Sequence, residues 1–258
     1  MKLSISNIAW SSEFDREMYA FLCKKGFSGL EIAPTRLFTE NPYDKIQEIK
    51  DFARSIYEQY GLVISSMQSI WYGKTQSIFG SDEDRQQLID YTKKAVDFAY
   101  AAGCHNLVFG CPRNRVIPDS SYIPAAVDFF NEIGDYAASS DTAIALEANP
   151  PIYNTNFMNT THEAIEICKL TSNKGVKINL DLGTVIYNNE TLDEAKENVS
   201  LVNHIHISEP HLAPIEKRQI HTELLGFDYD RFVSIEMGNK DNVEQVKNTV
   251  EYVAEVLG

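Results

Sequence analysis

Four residues far apart in the chain, Glu147, Asp181, His206 and Glu236, share one place in their local pattern. Each lies at or near the C-terminal end of a short apolar run: TAIALE (142–147), VKINLD (176–181), NHIHIS (203–208) and FVSIE (232–236). Side chains alternate between the two faces of a strand. Ile144 and Leu146 therefore share one face, opposite Ala143, Ala145 and Glu147. Val176, Ile178 and Leu180 oppose Lys177, Asn179 and Asp181. Ile205 and Ile207 oppose His204, His206 and Ser208, and Val233 and Ile235 oppose Phe232, Ser234 and Glu236. With the large aliphatics turned toward covering helices, Glu, Asp, His and Glu point inward at one end of a sheet. Three carboxylates crowded in a narrow mouth repel one another and resist ionising. A dication removes that penalty and, with a neutral imidazole, leaves about one net negative charge. The oxygen-rich set with one nitrogen suits Mn²⁺ or Mg²⁺; Zn²⁺ and Co²⁺ are also compatible.

The elements that must position these residues are legible in the same way. Four further β-like runs precede them: KLSIS (2–6), GLEI (29–32), LVISSM (62–67) and NLVFG (106–110). Between the runs lie stretches in which apolar residues recur at three- and four-residue steps, the mark of helices with one buried face. Gly26, Gly61, Gly103, Gly175 and Gly226 read as C-caps of these stretches. Thr160 and Thr161 ahead of Glu163 read as the capped start of the fifth helix. Eight strand–helix units in order predict a parallel sheet. The count of eight and the lack of a glycine-rich GxGxxG turn after the first strand favour a single (β/α)8 TIM barrel over an open doubly wound sheet. Without a Pro-, Gly- or Ser-rich linker, residues 1–258 read as one domain.

Bulk properties narrow the function classes. The chain of 258 residues matches one α/β barrel, and 43% hydrophobic with 23% charged residues is ordinary for a globular protein. A formal net charge of −14 disfavours nonspecific binding to nucleic acid or to anionic membranes. No signal-peptide core or membrane span is evident, so a cytoplasmic protein is expected. Cys23, Cys104, Cys111 and Cys168 form no CxxC pair and are expected to be reduced thiols.

Other polar residues fall at predicted strand ends. Asn7 and Trp10 follow the first strand, and Trp10 is a candidate to stack on the flat face of a ligand. Glu31 and Gln68 end the second and third strands and are candidates to hydrogen-bond hydroxyls. Arg113, Asn114 and Arg115 follow the fourth strand and can clasp a phosphate or carboxylate. Asn149 follows Glu147 on a loop stiffened by Pro150 and Pro151. Glu209, His211 and His221 come after the seventh strand. His221 is a candidate for the site, although an exposed position is its default, and His204, one layer below His206, reads as structural.

The segments SNIAW, GLEI, ALEANP, INLDLG, HIHIS and VSIEM, spread over nearly the whole chain, resemble the xylose isomerase-like barrels. These include ketose epimerases, hydroxypyruvate isomerase, inosose dehydratase and endonuclease IV. The resemblance implies that Glu147, Asp181, His206 and Glu236 hold the metal and that Glu147 and Glu236 are an acid–base pair. That pairing suits proton transfer at a carbon next to a carbonyl, which needs an acid, a base and a charge sink. Two positions depart from the ketose 3-epimerases: Thr184 stands where they carry a His, and Leu212 where they carry an Arg. The missing histidines also set the chain apart from endonuclease IV. The expected activity is that of a metal-dependent sugar or sugar-phosphate isomerase or epimerase working through an enediolate. A keto-inositol dehydratase or a noncatalytic sugar-binding barrel remain alternatives. The expected partner is a small-molecule sugar or sugar phosphate, with a homo-oligomer possible.

Overall fold

The alternating runs pair in sequence order. In the computed structural model, which describes residues 1–258, β1 (Lys2–Ser6), β2 (Gly29–Ile32), β3 (Val63–Met67), β4 (Leu107–Phe109), β5 (Ile144–Glu147), β6 (Val176–Asp181), β7 (Val202–Ser208) and β8 (Phe232–Glu236) form a closed barrel. All neighbouring pairs are parallel, and β8 closes onto β1. The protein is a (β/α)8 TIM barrel. The predicted strand bounds hold to within two residues at either end.

The helices are α1 (Asp15–Lys24), α2 (Pro34–Leu37), α3 (Ile46–Tyr60), α4 (Asp82–Ala102), α5 (Ile123–Ser139), α6 (Thr161–Thr171), α7 (Leu182–Asn188), α8 (Asp193–Glu197), α9 (Gln219–Glu223) and α10 (Val243–Leu257). Their starts are capped by local chemistry. Ser81 accepts from the Asp84 N–H at α4, and Asn242 from the Gln245 N–H at α10. At α6 the cap is Thr160, accepting from the Glu163 N–H, while the Glu163 carboxylate accepts from the Asn159 N–H.

Two regions differ from the periodicity. After β6, α7 begins at once, with Asp181 as its N-cap, in a stretch that carries no clear amphipathic signal. After β7, only Gln219–Glu223 of the predicted helix is α-helical, and residues 209–218 form a loop over the barrel end. Of the five glycines read as C-caps, Gly26, Gly61 and Gly103 end helices with left-handed backbone, whereas Gly226 closes a short 3-10 turn and Gly175 serves differently. Helix α6 ends earlier, at a left-handed Ser172. A Cβ on Gly175 would lie 1.9 Å from the Gly134 carbonyl oxygen, so Gly175 permits close packing of α5 on the barrel.

The outward strand residues Ile144, Leu146, Ile178, Leu180, Ile205, Ile207, Val233 and Ile235 are buried against the helices. The inner face is more polar than the branched aliphatic filling common in such barrels. Ser4, Ser6, Ser66, Asn106, Asn179, His204 and Ser234 are all buried. They satisfy one another across the interior: Ser4 with Ser65 at 2.6 Å, Asn106 to Ser66 at 2.9 Å and His204 with Ser234 at 2.8 Å. Hydrogen bonds in low dielectric hold these side chains in place, which suits a floor beneath charged groups; within this set only Asn179 Oδ1 lacks a partner.

Candidate metal centre at the barrel mouth

Barrel stagger, added to strand parity, brings the four candidate ligands together. Asp181 lies beside His206 and Ser208 beside Glu236, whereas Glu147 lies beside Asn179, one layer below Asp181. Glu147, Asp181, His206 and Glu236 nevertheless offer ligand atoms all within 4.8 Å of one another. His206 Nδ1 is 3.0 Å from Glu147 Oε1 and 3.3 Å from Glu236 Oε2. Its other nitrogen, Nε2, lies 2.8 Å from Glu31 Oε2. With Nε2–H donated to Glu31, Nδ1 presents its lone pair to the carboxylates, the arrangement of a metal-ligating histidine.

Each carboxylate is separately oriented. Asn179 Nδ2 donates to Glu147 Oε1 at 2.6 Å, and Asn149 Nδ2 donates to Glu147 Oε2 at 3.1 Å. Asp181 accepts from the Thr184 N–H and hydroxyl, both at 2.8 Å, and from the Ser208 hydroxyl. Gln68 Nε2 donates to Glu236 Oε1 at 3.0 Å and to Ser6 Oγ at 3.1 Å. No lysine or arginine pairs with any of the three carboxylates. The donor set therefore fits a divalent ion: three fixed carboxylates and one imidazole converge without a protein cation to neutralise them. Two other clusters fit less well. Glu31–His204–His206 is sealed in the interior, and His162–Glu166–Glu194 is an exposed group on α6 and α8.

Comparisons with known proteins follow this geometry. The family profile described as xylose isomerase-like TIM barrel matches residues 20–253. The chain belongs to this family. Among solved structures, it is similar to the 3-keto-D-glucoside 4-epimerase YcjR from E. coli, with 19% identity, TM-score 0.78 and 99% of each chain covered. It is also similar to a D-psicose 3-epimerase determined in the presence of D-fructose, with 17% identity, TM-score 0.78 and 100% of each chain covered. A third similar structure is the IOLI protein with a bound zinc atom, with 17% identity, TM-score 0.70, and 99% of this chain and 95% of that chain covered. At these identities the likeness establishes the fold. No curated protein sequence matches.

In this xylose isomerase-like barrel, a cavity of about 180 Å³ opens above the four residues. Gln68, Asn149, Tyr153, Ser208, Glu209 and Leu212 line it with Glu147, Asp181 and Glu236. Gln68 and Asn149 thus fall where their strand ends placed them. Trp10 does not line the cavity. It is 2% exposed, donates Nε1–H to Asp15 Oδ1 at 2.9 Å and packs edge-on against Tyr19. Glu31 is also out of a substrate's reach, wholly buried one layer below the mouth and engaged with His206. His221, expected to be exposed, is 1% exposed on α9, where Nδ1 meets the Tyr252 hydroxyl at 2.9 Å. Burial pushes its imidazole down to about 4.

The arginine pair after β4 is the clearest correction. Arg113 is exposed and does not line the cavity. Arg115 is completely buried and donates to the carbonyl oxygens of Glu147 and Phe157 and to Asn149 Oδ1. Its guanidinium braces the loop after β5 rather than facing a ligand. Sequence reasoning passed over Asn179 and Ser208, yet both share the inward face of a ligand on the same strand. Parity identifies them once the inward face is known. Tyr153 carried no signal. It reaches the mouth from the β5 loop, and its hydroxyl accepts from the His211 N–H at 2.7 Å.

Glycine at position 110 is also required. A Cβ there would sit 2.7 Å from Glu147 Oε2 and 3.4 Å from Asn149 Oδ1. Gly110→Ala is expected to displace the Glu147 carboxylate and lower turnover by about 10–10²-fold with the barrel intact. Steady-state kinetics beside far-UV circular dichroism checks this; unchanged kinetics would mean that the carboxylate has room to adapt.

Protons occupy the metal-free centre. Burial raises Glu236 to about 7 against the pull of His206, and burial with the Glu147 charge raises Asp181 to about 6. Burial opposes a charged His206, but Glu31, Glu236 and Glu147 outweigh it and hold the imidazole well above its ordinary range. A metal must displace these protons, so its affinity should fall as pH drops through 7 to 6, by roughly tenfold or more per pH unit. All three groups bind protons more tightly folded than unfolded. Metal-free stability should therefore fall as pH rises from about 4 to above 7, and the gain in Tm on adding Mn²⁺ should grow across the same window. Calorimetric Mn²⁺ titrations at three pH values, with matched melting curves, measure both; a pH-independent affinity contradicts the ligand set.

Proposed function

We propose that this protein is a divalent-metal-dependent sugar isomerase or epimerase that moves a proton at a carbon next to a carbonyl, through an enediolate. One observation carries the reading: Glu147 and Glu236 both face His206 Nδ1, at 3.0 and 3.3 Å, from strands β5 and β8, and both line the open cavity. Two carboxylates on different strands of one mouth can act on a flat enediolate from different sides, one taking a proton and the other returning it. Glu147, Asp181, His206 and Glu236 would hold the metal, with Mn²⁺ or Mg²⁺ the best match for an oxygen-rich set. When bound, the metal supplies the charge sink for the developing oxyanion.

The chain's own residues do the rest. Asn179 and Asn149 fix both oxygens of Glu147, so its basic lone pairs have a set direction. Gln68 holds Glu236 Oε1, and Oε2 faces His206 Nδ1 beneath the cavity that Glu236 lines. Tyr153 and Leu212 narrow the opening and limit water around the reacting carbon. The epimerases among the structural neighbours agree in class with this reading. The test is exchange of carbon-bound hydrogen with deuterated solvent, followed by NMR, for free ketoses with the Mn²⁺-loaded protein. Absence of exchange across the panel sinks the proposal; loss of one water from the substrate moves it to a dehydratase.

A further inference from the structure

The mouth contains no cation to meet an anionic substrate. Its ionisable lining is Glu147, Asp181, Glu209 and Glu236, with Tyr153 and Cys111, which burial pushes up to about 12 each so that both keep their protons. The arginines and lysine nearest in the fold are otherwise engaged or outside. Arg115 is buried behind the β5 loop, with hydrogen bonds to two backbone carbonyls and Asn149. Arg218 is held by Glu209 at 2.6 and 2.7 Å and by Glu216 at 2.9 Å. Arg113 and Lys240 are exposed and do not line the cavity. Three carboxylates and one imidazole around a dication leave the centre about one charge negative. The neutral lining is instead suited to hydroxyls: beyond their bonds within the fold, Gln68, Ser69 and Ser208 keep oxygen lone pairs and Asn149 keeps a second amide N–H, while Tyr153 and Leu212 offer apolar walls. The volume, about 180 Å³, suits one small ligand rather than a drug-sized one.

We propose that the mouth selects an uncharged small ketose or polyol and rejects its phosphorylated or carboxylated counterpart, a specificity that rests on the reading of this mouth as a sugar site. A phosphate entering the mouth would lose its hydration and meet a centre of net negative charge, with no free guanidinium or ammonium in the lining to replace the lost water. The expected arginine clasp after β4 is absent because Arg115 is spent inside the fold.

The test compares free ketohexoses, D-fructose among them, with the 1- and 6-phosphates of the same sugars, titrated into Mn²⁺-loaded protein by calorimetry. A free ketose is expected to bind, and its phosphates to bind at least about 100-fold more weakly. Leu212→Arg places a guanidinium at the rim and is expected to narrow that gap by about tenfold or more. Phosphates that bind the parent protein as tightly as the free sugars overturn the proposal, and so does a panel in which no neutral ketose or polyol binds. Binding of a free ketose without carbon–hydrogen exchange leaves this selectivity standing and sinks the proton-transfer reading alone.

Discussion

Glu236→Gln and Glu147→Gln are each expected to lower turnover by about 10²–10⁴-fold, the usual worth of a positioned acid or base. Glutamine keeps the shape and, through its one carbonyl oxygen, the hydrogen bond from Gln68 at position 236 or one of the two from Asn149 and Asn179 at position 147, but it cannot take or give a proton. Each glutamate also belongs to the candidate donor set, so a loss of metal would mimic a loss of proton transfer. The measurement is therefore exchange of substrate hydrogen with solvent at saturating Mn²⁺, with the bound metal counted in the same samples. The expected result is retained metal and lost exchange. A metal-loaded variant that exchanges within a few-fold of the parent rate would remove that residue from the acid–base pair.

The second large effect is expected from a residue that no ligand touches. Glu31→Ala should weaken metal binding by about 10–100-fold, the range seen when a partner of a metal-ligating histidine is removed. Glu31 is completely buried, with Oε2 at 2.8 Å from His206 Nε2 and 3.4 Å from His204 Nε2. Burial opposes its ionisation, but the two histidines hold it ionised, below the ordinary carboxylate range. The anion fixes the Nε2–H tautomer of His206, keeps Nδ1 aimed at the mouth and raises its basicity. Glu31→Gln separates the two contributions. An amide oxygen can still accept from Nε2–H, so orientation survives while charge is lost, and the affinity should fall between those of the parent and the alanine variant. Calorimetric Mn²⁺ titration of all three proteins, each checked for cooperative melting, tests this. Equal affinities would reduce Glu31 to a packing role.

The barrel was legible because it depends on short-range regularities. Period-two runs, three- and four-residue helical spacing and capping residues such as Thr160 are written along the chain, and the structure repeats them. The convergence of Glu147, Asp181, His206 and Glu236 was legible for the same reason: parity on successive parallel strands forces inward residues at strand ends to one mouth. Long side chains were not legible in this way. An arginine reaches several ångströms from its Cα, and the partner it finds depends on which loop packs beside it. Arg115 and Arg113 are two residues apart in one loop, yet Arg115 is locked beneath the β5 loop while Arg113 faces solvent. Depth within the barrel was equally hidden. Glu31 and Gln68 both sit near strand ends, but the register shift between β2 and β3 accompanies different levels: Gln68 lines the mouth and Glu31 lies beneath His206. The eightfold alternation and the four inward polar ends were written along the chain, because each follows from local periodicity. The lack of a cation in the mouth lining and the contact of Glu31 with His206 from below emerge with the packed fold. Both depend on stagger and on contacts between loops far apart in the chain, which local periodicity does not encode.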